Sequence, residues 1–382
     1  MQPTENSDDL QQRQMLRDSA ADFVRGHLDF KRLRGRRGSA PGYDPAVLRQ
    51  MGELGWLAIL VPEVQGGLGL GLADQAVVLE ELGRGRMAAP LVPVAFATRL
   101  IARGDNAALQ ARLLAAVAGG GALPVVAWQE GLGGIDGPGP ACTARRDADT
   151  WVLDGAKRFV AGAAGASGFV VTANTDAGPG LFWLDALAAG VTMTQEWRAD
   201  ETPSGAVVLR GAQVAADGVL CAPGPVAALA FERSFEDAAV LASAEMLGVM
   251  AAALQMTLGY MRTRVQFGKP IGSFQALQHK ATDLYVQQEH VRAVLGEALV
   301  MLDGEASVID RARMASRCKA RASDAGLRVT REVIQLHGAI GFTDEADAGL
   351  YLKRALVLSA WLGNAAAHRQ RFGRLQPALA TV

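Results

Sequence analysis

The sequence predicts an α+β multidomain fold: a helical N-terminal domain over 1–120, a middle antiparallel β domain over 121–225, and a C-terminal four-helix bundle over 226–382. Three observations predict it. Apolar residues recur at threes and fours from Asp8 to Arg112, strand-like runs bounded by turn residues follow to about Pro225, and long helical periodicity then continues. The chain's 382 residues are enough for two or three domains with a substantial core.

The N-terminal helical pattern lies in "DLQQRQMLRDSAADFV", "PAVLRQMGELGWLAIL" and "LADQAVVLEELGRG". The glycine-rich "VPEVQGGLGLGLAD" interrupts it. Its glycines, Gly66, Gly67, Gly69 and Gly71, precede a helix without a preceding strand, so they read as a flexible loop rather than a phosphate cradle. The middle domain rests on "TWVLDGAKRFV", "GFVVTANT", "GLFWLDA", "GVTMTQEW" and "SGAVVLRGAQV". "FEDAAVLASAEMLGVMAAALQMTLGYMRTR" predicts a helix of about thirty residues, roughly 40 Å long and buried on several sides. Two more long helices follow in "FQALQHKATDLYVQQEHVRAVLGEALVML" and "ASVIDRARMASRCKARASDAGLRVTREVIQLHG", and a fourth begins near Asp347. Together they predict a bundle with its own core.

Lys plus Arg total 38 against 39 Asp plus Glu, which argues against general affinity for nucleic acid or an anionic membrane. Cys142, Cys221 and Cys318 lie far apart and are odd in number, so they predict no disulfide framework and fit a reducing cytoplasm. The polar start lacks a signal-peptide core, and no run approaches the ~18 apolar residues of a membrane span. No GxGxxG or Walker A sequence is present. His27, His279, His290, His337 and His368 form no metal-spaced pair, leaving metal catalysis and a histidine triad without support.

One stretch stands out between two helices: "YMRTRVQFGKPIGSFQALQHK", Tyr260–Lys280. Gly268 and Pro270 should end the first helix and Ser273 should cap the next, making a tight elbow. Arg264 would sit at the last turn and Gln275 at the first. An arginine suits a helix C-terminus through the dipole alone, and it also suits a phosphate. Lys353 and Arg354 read as a solvated face, Trp361 as pocket lining or core, and His337 as a histidine satisfied within its helix terminus.

Together "TRVQFGKPIGSFQALQHK", "VPEVQGGLGLGLADQAVVLEELGR" and "QLHGAIGFTDEADAGLYLKRA" resemble the acyl-CoA dehydrogenase family over nearly the whole chain and in the same order. Within the family, the chain resembles the pimeloyl-CoA dehydrogenase small-subunit type and chains of steroid side-chain breakdown, through the shared "SFQALQHK" and "QLHGxIG" wording and the unusual middle loop. The resemblance implies that the middle domain is a β-barrel and that FAD is held at a subunit interface. Arg264, Phe267 and Gln275 would reach the adenosine diphosphate half of a neighbouring subunit's cofactor. Gln335 and Gly338 would line that same half, with Ala339 replacing the family's second glycine.

The ring half departs from the pattern. In "WQEGLGGID", Gln129 replaces a threonine, Gly131 a proline and Ile135 a serine, while Glu130 and Asp136 keep register. In "KRFVA", Phe159 replaces a tryptophan and Ala161 the threonine whose hydroxyl meets the flavin. The resemblance leaves Phe159 to stack and Gln129 to donate. The implied reaction removes a proton α to an acyl-CoA thioester and so needs a carboxylate base. One family position for that base is Leu362 here, before Gly363, and the other is Ala238. Asp237 and Glu236 neighbour the second, but adjacent helix residues point about 100° apart. Two enzyme readings follow: a base-lacking small subunit completed by a related chain in a heterotetramer, or a homo-oligomeric acyl-CoA dehydrogenase or related flavoenzyme using a non-standard base such as Asp237 or a different proton route. A catalytically silent subunit without flavin is a third.

Overall fold

The computed structural model describes residues 7–132, 135 and 141–376. It divides into two compact units, one of Met1–Arg32, Leu72–Met87 and Ala239–Val382, the other of Leu33–Gly71 and Ala88–Ala238. The helices are α1 Ser7–His27, α2 Phe30–Gly35, α3 Pro45–Glu53, α4 Leu72–Arg84, α5 Leu91–Ala102, α6 Ala107–Ala118, α7 Pro225–Thr263, α8 Gln275–Asp303, α9 Val308–His337, α10 Ala348–Ala360 and α11 Ala365–Arg374.

In the first unit, α8, α10 and α11 each pack against α9. Ser307 starts α9 by accepting from Asp310 N, and Asn364 starts α11 by accepting from Ala367 N, as expected of polar N-caps. The helix α7 is longer than predicted. It begins at Pro225, which supplies a pre-set φ at a helix start, and its 39 residues span roughly 58 Å. By length and composition it could cross a membrane, but most of its apolar stretch is buried within the protein. Within this unit α4 and α7 cross very closely: a Cβ on Gly248 would lie 1.8 Å from Glu80 O, and one on Gly83 would lie 2.3 Å from Glu245 O. Glu80 beside that crossing accepts from Arg17, Arg84 and Arg292. Burial raises its pKa, but the three guanidinium groups, Arg292 first, outweigh burial and hold it below the usual carboxylate range. The fourth predicted long helix is instead two short ones, α10 and α11, because Trp361–Asn364 breaks it.

The second unit is built on one sheet: β1 Pro124–Ala127, β2 Thr143–Asp147, β3 Thr150–Ala161, β4 Gly168–Thr175, β5 Gly178–Asp185, β6 Val191–Trp197, β7 Pro203–Ala215 and β8 Val219–Cys221. The order is β6-β7-β3-β2-β4-β5-β8, with β1 also on β4. The sheet is mainly antiparallel, as expected, with two refinements. Strand β4 pairs in parallel with β1 and, at Thr143↔Asn174, with β2. Among the described residues β6 and β8 are free ends of the pairing, so the sheet does not close. One face buries Val125, Leu153, Phe169, Phe182, Val207 and Val214 in a common core. The alternation of β7, whose Val207, Leu209, Ala212 and Val214 are buried, is what a sheet with one covered face requires.

The glycine-rich loop is tighter than predicted. Leu68, Gly69 and Leu70 donate their N–H groups to Ala58, Val61 and Ile59. A Cβ on Gly67 would lie 2.1 Å from Val61 O, so this glycine allows backbone to pack on backbone.

Candidate functional site

The elbow is built by a two-residue hairpin. Val265–Gln266 (β9) and Lys269–Pro270 (β10) pair antiparallel, Lys269 opposite Gln266. Phe267 at φ 54° and Gly268 at φ 79° form the turn. Positive φ at both central residues is the I′ pattern, which suits glycine and strains phenylalanine. Helix α7 stops at Thr263, so Arg264 lies just beyond its last turn. Its N–H donates to Tyr260 O at 2.8 Å, and its carbonyl accepts from Ile271 N at 2.8 Å. Ser273 does not cap α8. Phe274 holds the N-cap position without a side-chain bond, and Ser273 Oγ donates back to Pro270 O at 2.7 Å.

Two sequence motifs meet here, both within the first unit. Tyr260, one turn before Arg264, stacks on His337 with ring centroids 4.6 Å apart, and its hydroxyl donates to His337 O at 3.3 Å. His337 Nδ1–H donates to Val333 O at 2.8 Å, as a helix-terminal histidine should. The stack ties the elbow to Gln335 and Gly338, the latter at φ 67°. Arg264, Phe267, Gln275 and Gln335 are exposed, Phe267 to 92%. Surface arginine and glutamine donors flank an aromatic ring, a set that suits a phosphate, a sugar and a base.

The second unit holds the other predicted pair. Gln129 O accepts from Arg158 N at 2.7 Å, so the end of the β1 segment runs beside β3 and brings Gln129 near Phe159. Phe159 lies at a bulge in β3 with φ 56°, and the Arg158 guanidinium sits 4.9 Å from its ring centroid. Gln129 Nε2 donates to Gly131 O at 2.9 Å. Glu130 organises this loop. It accepts from Ala141 N and Cys142 N and from Lys157 Nζ at 2.6 Å. Burial raises the Glu130 pKa, while Lys157 and the two N–H groups outweigh it and leave it lowered. Lys157 also donates to Trp128 O and Thr172 Oγ1. Ile135 and Ala161 are buried, and Asp136 lies outside the described residues.

Both positions implied for a base are apolar and sealed: Ala238 and Leu362 are each 0% exposed. Leu362 nonetheless has φ 58°, followed by Gly363 at φ 92°. Asp237, the weak candidate, is fully buried, and its Oδ2 accepts from Arg99 Nε at 2.8 Å and Arg103 Nη2 at 2.7 Å. These three residues and Ser234, which receives Arg103 Nη1 at 2.8 Å, all belong to the second unit. The Asp237 carboxylate is thus committed to a buried ion pair with two guanidinium groups rather than turned toward a substrate.

Sequence reasoning missed Arg99, Arg103 and Lys157. Only Lys157 left a signal, a cation at an inward position of an alternating strand. It also misplaced Arg354, which is buried and pairs with Glu245 at 2.6 Å. The partner lies more than a hundred positions away, where local polarity cannot reveal it.

Comparisons with known proteins bear on the family and the fold. Residues 11–121 match the family description "Acyl-CoA dehydrogenase, N-terminal domain", and residues 228–375 match "Acyl-CoA dehydrogenase, C-terminal domain". The chain is 31% identical over 357 residues to acyl-CoA dehydrogenase IpdE2 of Mycolicibacterium smegmatis, covering 92% of this chain and 95% of that one. The chain belongs to the acyl-CoA dehydrogenase family. As a member it is an oxidoreductase-class flavoprotein with FAD as cofactor. Among solved structures, a Tcur3481–Tcur3483 steroid ACAD variant is similar with TM-score 0.87 and 33% identity, covering 96% of this chain and 97% of that one. The ChsE4–ChsE5 complex from Mycobacterium tuberculosis is similar with TM-score 0.89 and 27% identity, covering 99% and 100%.

Proposed function

We propose that this chain is the base-lacking subunit of a heteromeric FAD-dependent acyl-CoA dehydrogenase, active in α,β-dehydrogenation of an acyl-CoA thioester only beside a related chain. The observation that carries the reading is the state of the base positions. Ala238 and Leu362 are apolar and sealed, and Asp237 is tied to Arg99 and Arg103. That ion pair also disfavours a homo-oligomer using Asp237. Two similar structures, named as ChsE4–ChsE5 and Tcur3481–Tcur3483, support a pairing of related chains.

FAD, when bound, supplies the acceptor for the β-hydride. The residues present fit its adenosine diphosphate half. Arg264 offers a planar fork for the pyrophosphate, Gln275 and Gln335 offer amides, Phe267 offers a ring, and Gly338 leaves the backbone open. Gln129 and Phe159 are the residues of this chain that would face the ring half. Ala161 has no hydroxyl to donate there, so that half is the poorer one. A silent subunit without flavin is disfavoured by the intact elbow. The same reading keeps domains at 1–120, 121–225 and 226–382 and a cytoplasmic location, consistent with three buried free cysteines.

The test is R264A in this chain, purified together with a related, base-bearing dehydrogenase chain. Loss of flavin absorbance from the assembled pair supports the reading. Full flavin retention by the R264A pair contradicts it.

A further inference from the structure

The loop that carries Leu362 is held by two buried side chains that no step above uses. Helix α10 ends at Ala360, and its last carbonyls have no partner within the helix. Lys319, on α9 and buried, reaches them. Its Nζ donates to Leu358 O at 2.9 Å, Gly363 O at 2.9 Å and Ser323 Oγ at 3.1 Å, with Ser359 O at 3.4 Å. An ammonium has three donors, so this cage consumes them all. From α11, His368 Nε2–H donates to Leu362 O at 2.7 Å.

The carbonyls of residues 358, 362 and 363 thus each receive a side-chain donor at 2.9 Å or less. The backbone they fix is unusual, with Leu362 and Gly363 both at positive φ. An ordinary core leucine needs no such conformation, and strained backbone of this kind persists only where its surroundings impose it.

We propose that Lys319 is a positioning residue, which with His368 locks the α10–α11 loop so that residue 362 is held in its left-handed conformation, preserving the mount of a carboxylate that this chain has lost. The proposal rests on the reading of position 362 as the family's base position. Side-chain chemistry at 362 has changed while the backbone device remains. Burial brings Lys319 down to about 7, so its charge is sensitive near neutrality. The groups that face it are Cys318 and Ser323 on α9, the Ser359 carbonyl on α10 and His368 on α11; Arg317 acts on Cys318 and Arg371 on His368. Burial, then the charge of Lys319, lowers His368 to about 3, so the imidazole is neutral and its proton stays on Nε2.

The experiment is hydrogen exchange on the full chain in its assembled, flavin-loaded form, comparing wild type with K319M. Methionine keeps the length and removes the donors. Amides of 359–366 should exchange about tenfold faster or more in K319M, with α8 and the rest of α9 unchanged. H368L, which removes the other donor, should loosen the same segment and serves should K319M fail to fold. Equal exchange in 359–366, or uniform loosening of the whole bundle, overturns the proposal. A second arm adds L362E with and without K319M and follows exchange of the substrate α-proton. Gain of exchange in L362E, lost in the double variant, supports the positioning role. No gain in L362E despite local loosening in K319M sinks the base-position reading and leaves the lock standing.

Discussion

Asp237 is the residue on which the two enzyme readings part. If it were the base, D237N would abolish chemistry and leave stability nearly intact. Its burial between Arg99 and Arg103 predicts the reverse emphasis: D237A should cost about 3 kcal/mol in urea unfolding, because two guanidinium groups lose their counter-charge. Unchanged stability in D237A would restore it as a candidate. A second residue sets the acid limit. The His368 pKa is about 3 in the folded protein against about 6.5 in the unfolded chain. Between these values the unfolded state binds the extra proton, so stability falls as pH drops from about 6.5 toward 3. Replacing the imidazole in H368Q should flatten that part of the stability-against-pH curve, measured by denaturant midpoints at each pH.

At the scale of elements, the elbow sacrifices local stability for display. Phe267 occupies a turn position that favours asparagine or glycine and leaves its ring 92% exposed. F267N should therefore raise the stability of this chain by about 1 kcal/mol, read from thermal midpoints, while weakening flavin retention in the assembly. The α4–α7 crossing makes the opposite case. G248A places a methyl against Glu80 O and should cost about 1–3 kcal/mol; a neutral result would mean that the helices separate freely. Elements were legible where punctuation was strong. Helices α8 and α9 match their predicted bounds closely because Gly304, Ser307 and Gly338 mark the ends. Strands β1, β2 and β8 were missed for different reasons. β1 is buried throughout and shows no alternation, β2 reads "TARRD" with one buried residue, and β8 has three residues. In the site, the elbow was legible as a contiguous motif. Lys319 was not, since its partners are backbone carbonyls some forty positions away, and carbonyls leave no mark in a sequence.

At the scale of the whole molecule, the proposed function rests on an asymmetry between the elbow that the family resemblance assigns to the cofactor and the two apolar positions it assigns to the base. Arg264, Phe267, Gln275 and Gln335 stand on the surface, whereas Ala238 and Leu362 are sealed. Under the proposed function, that asymmetry belongs to an assembly in which chains of unequal chemistry share one flavin. The most direct test is acyl-CoA dehydrogenation by the chain purified alone, with added FAD, against the same chain reconstituted with a related chain that carries a glutamate base. The account predicts no product from the lone chain and turnover from the pair. Dehydrogenation by the lone chain at a rate matching the pair would contradict it.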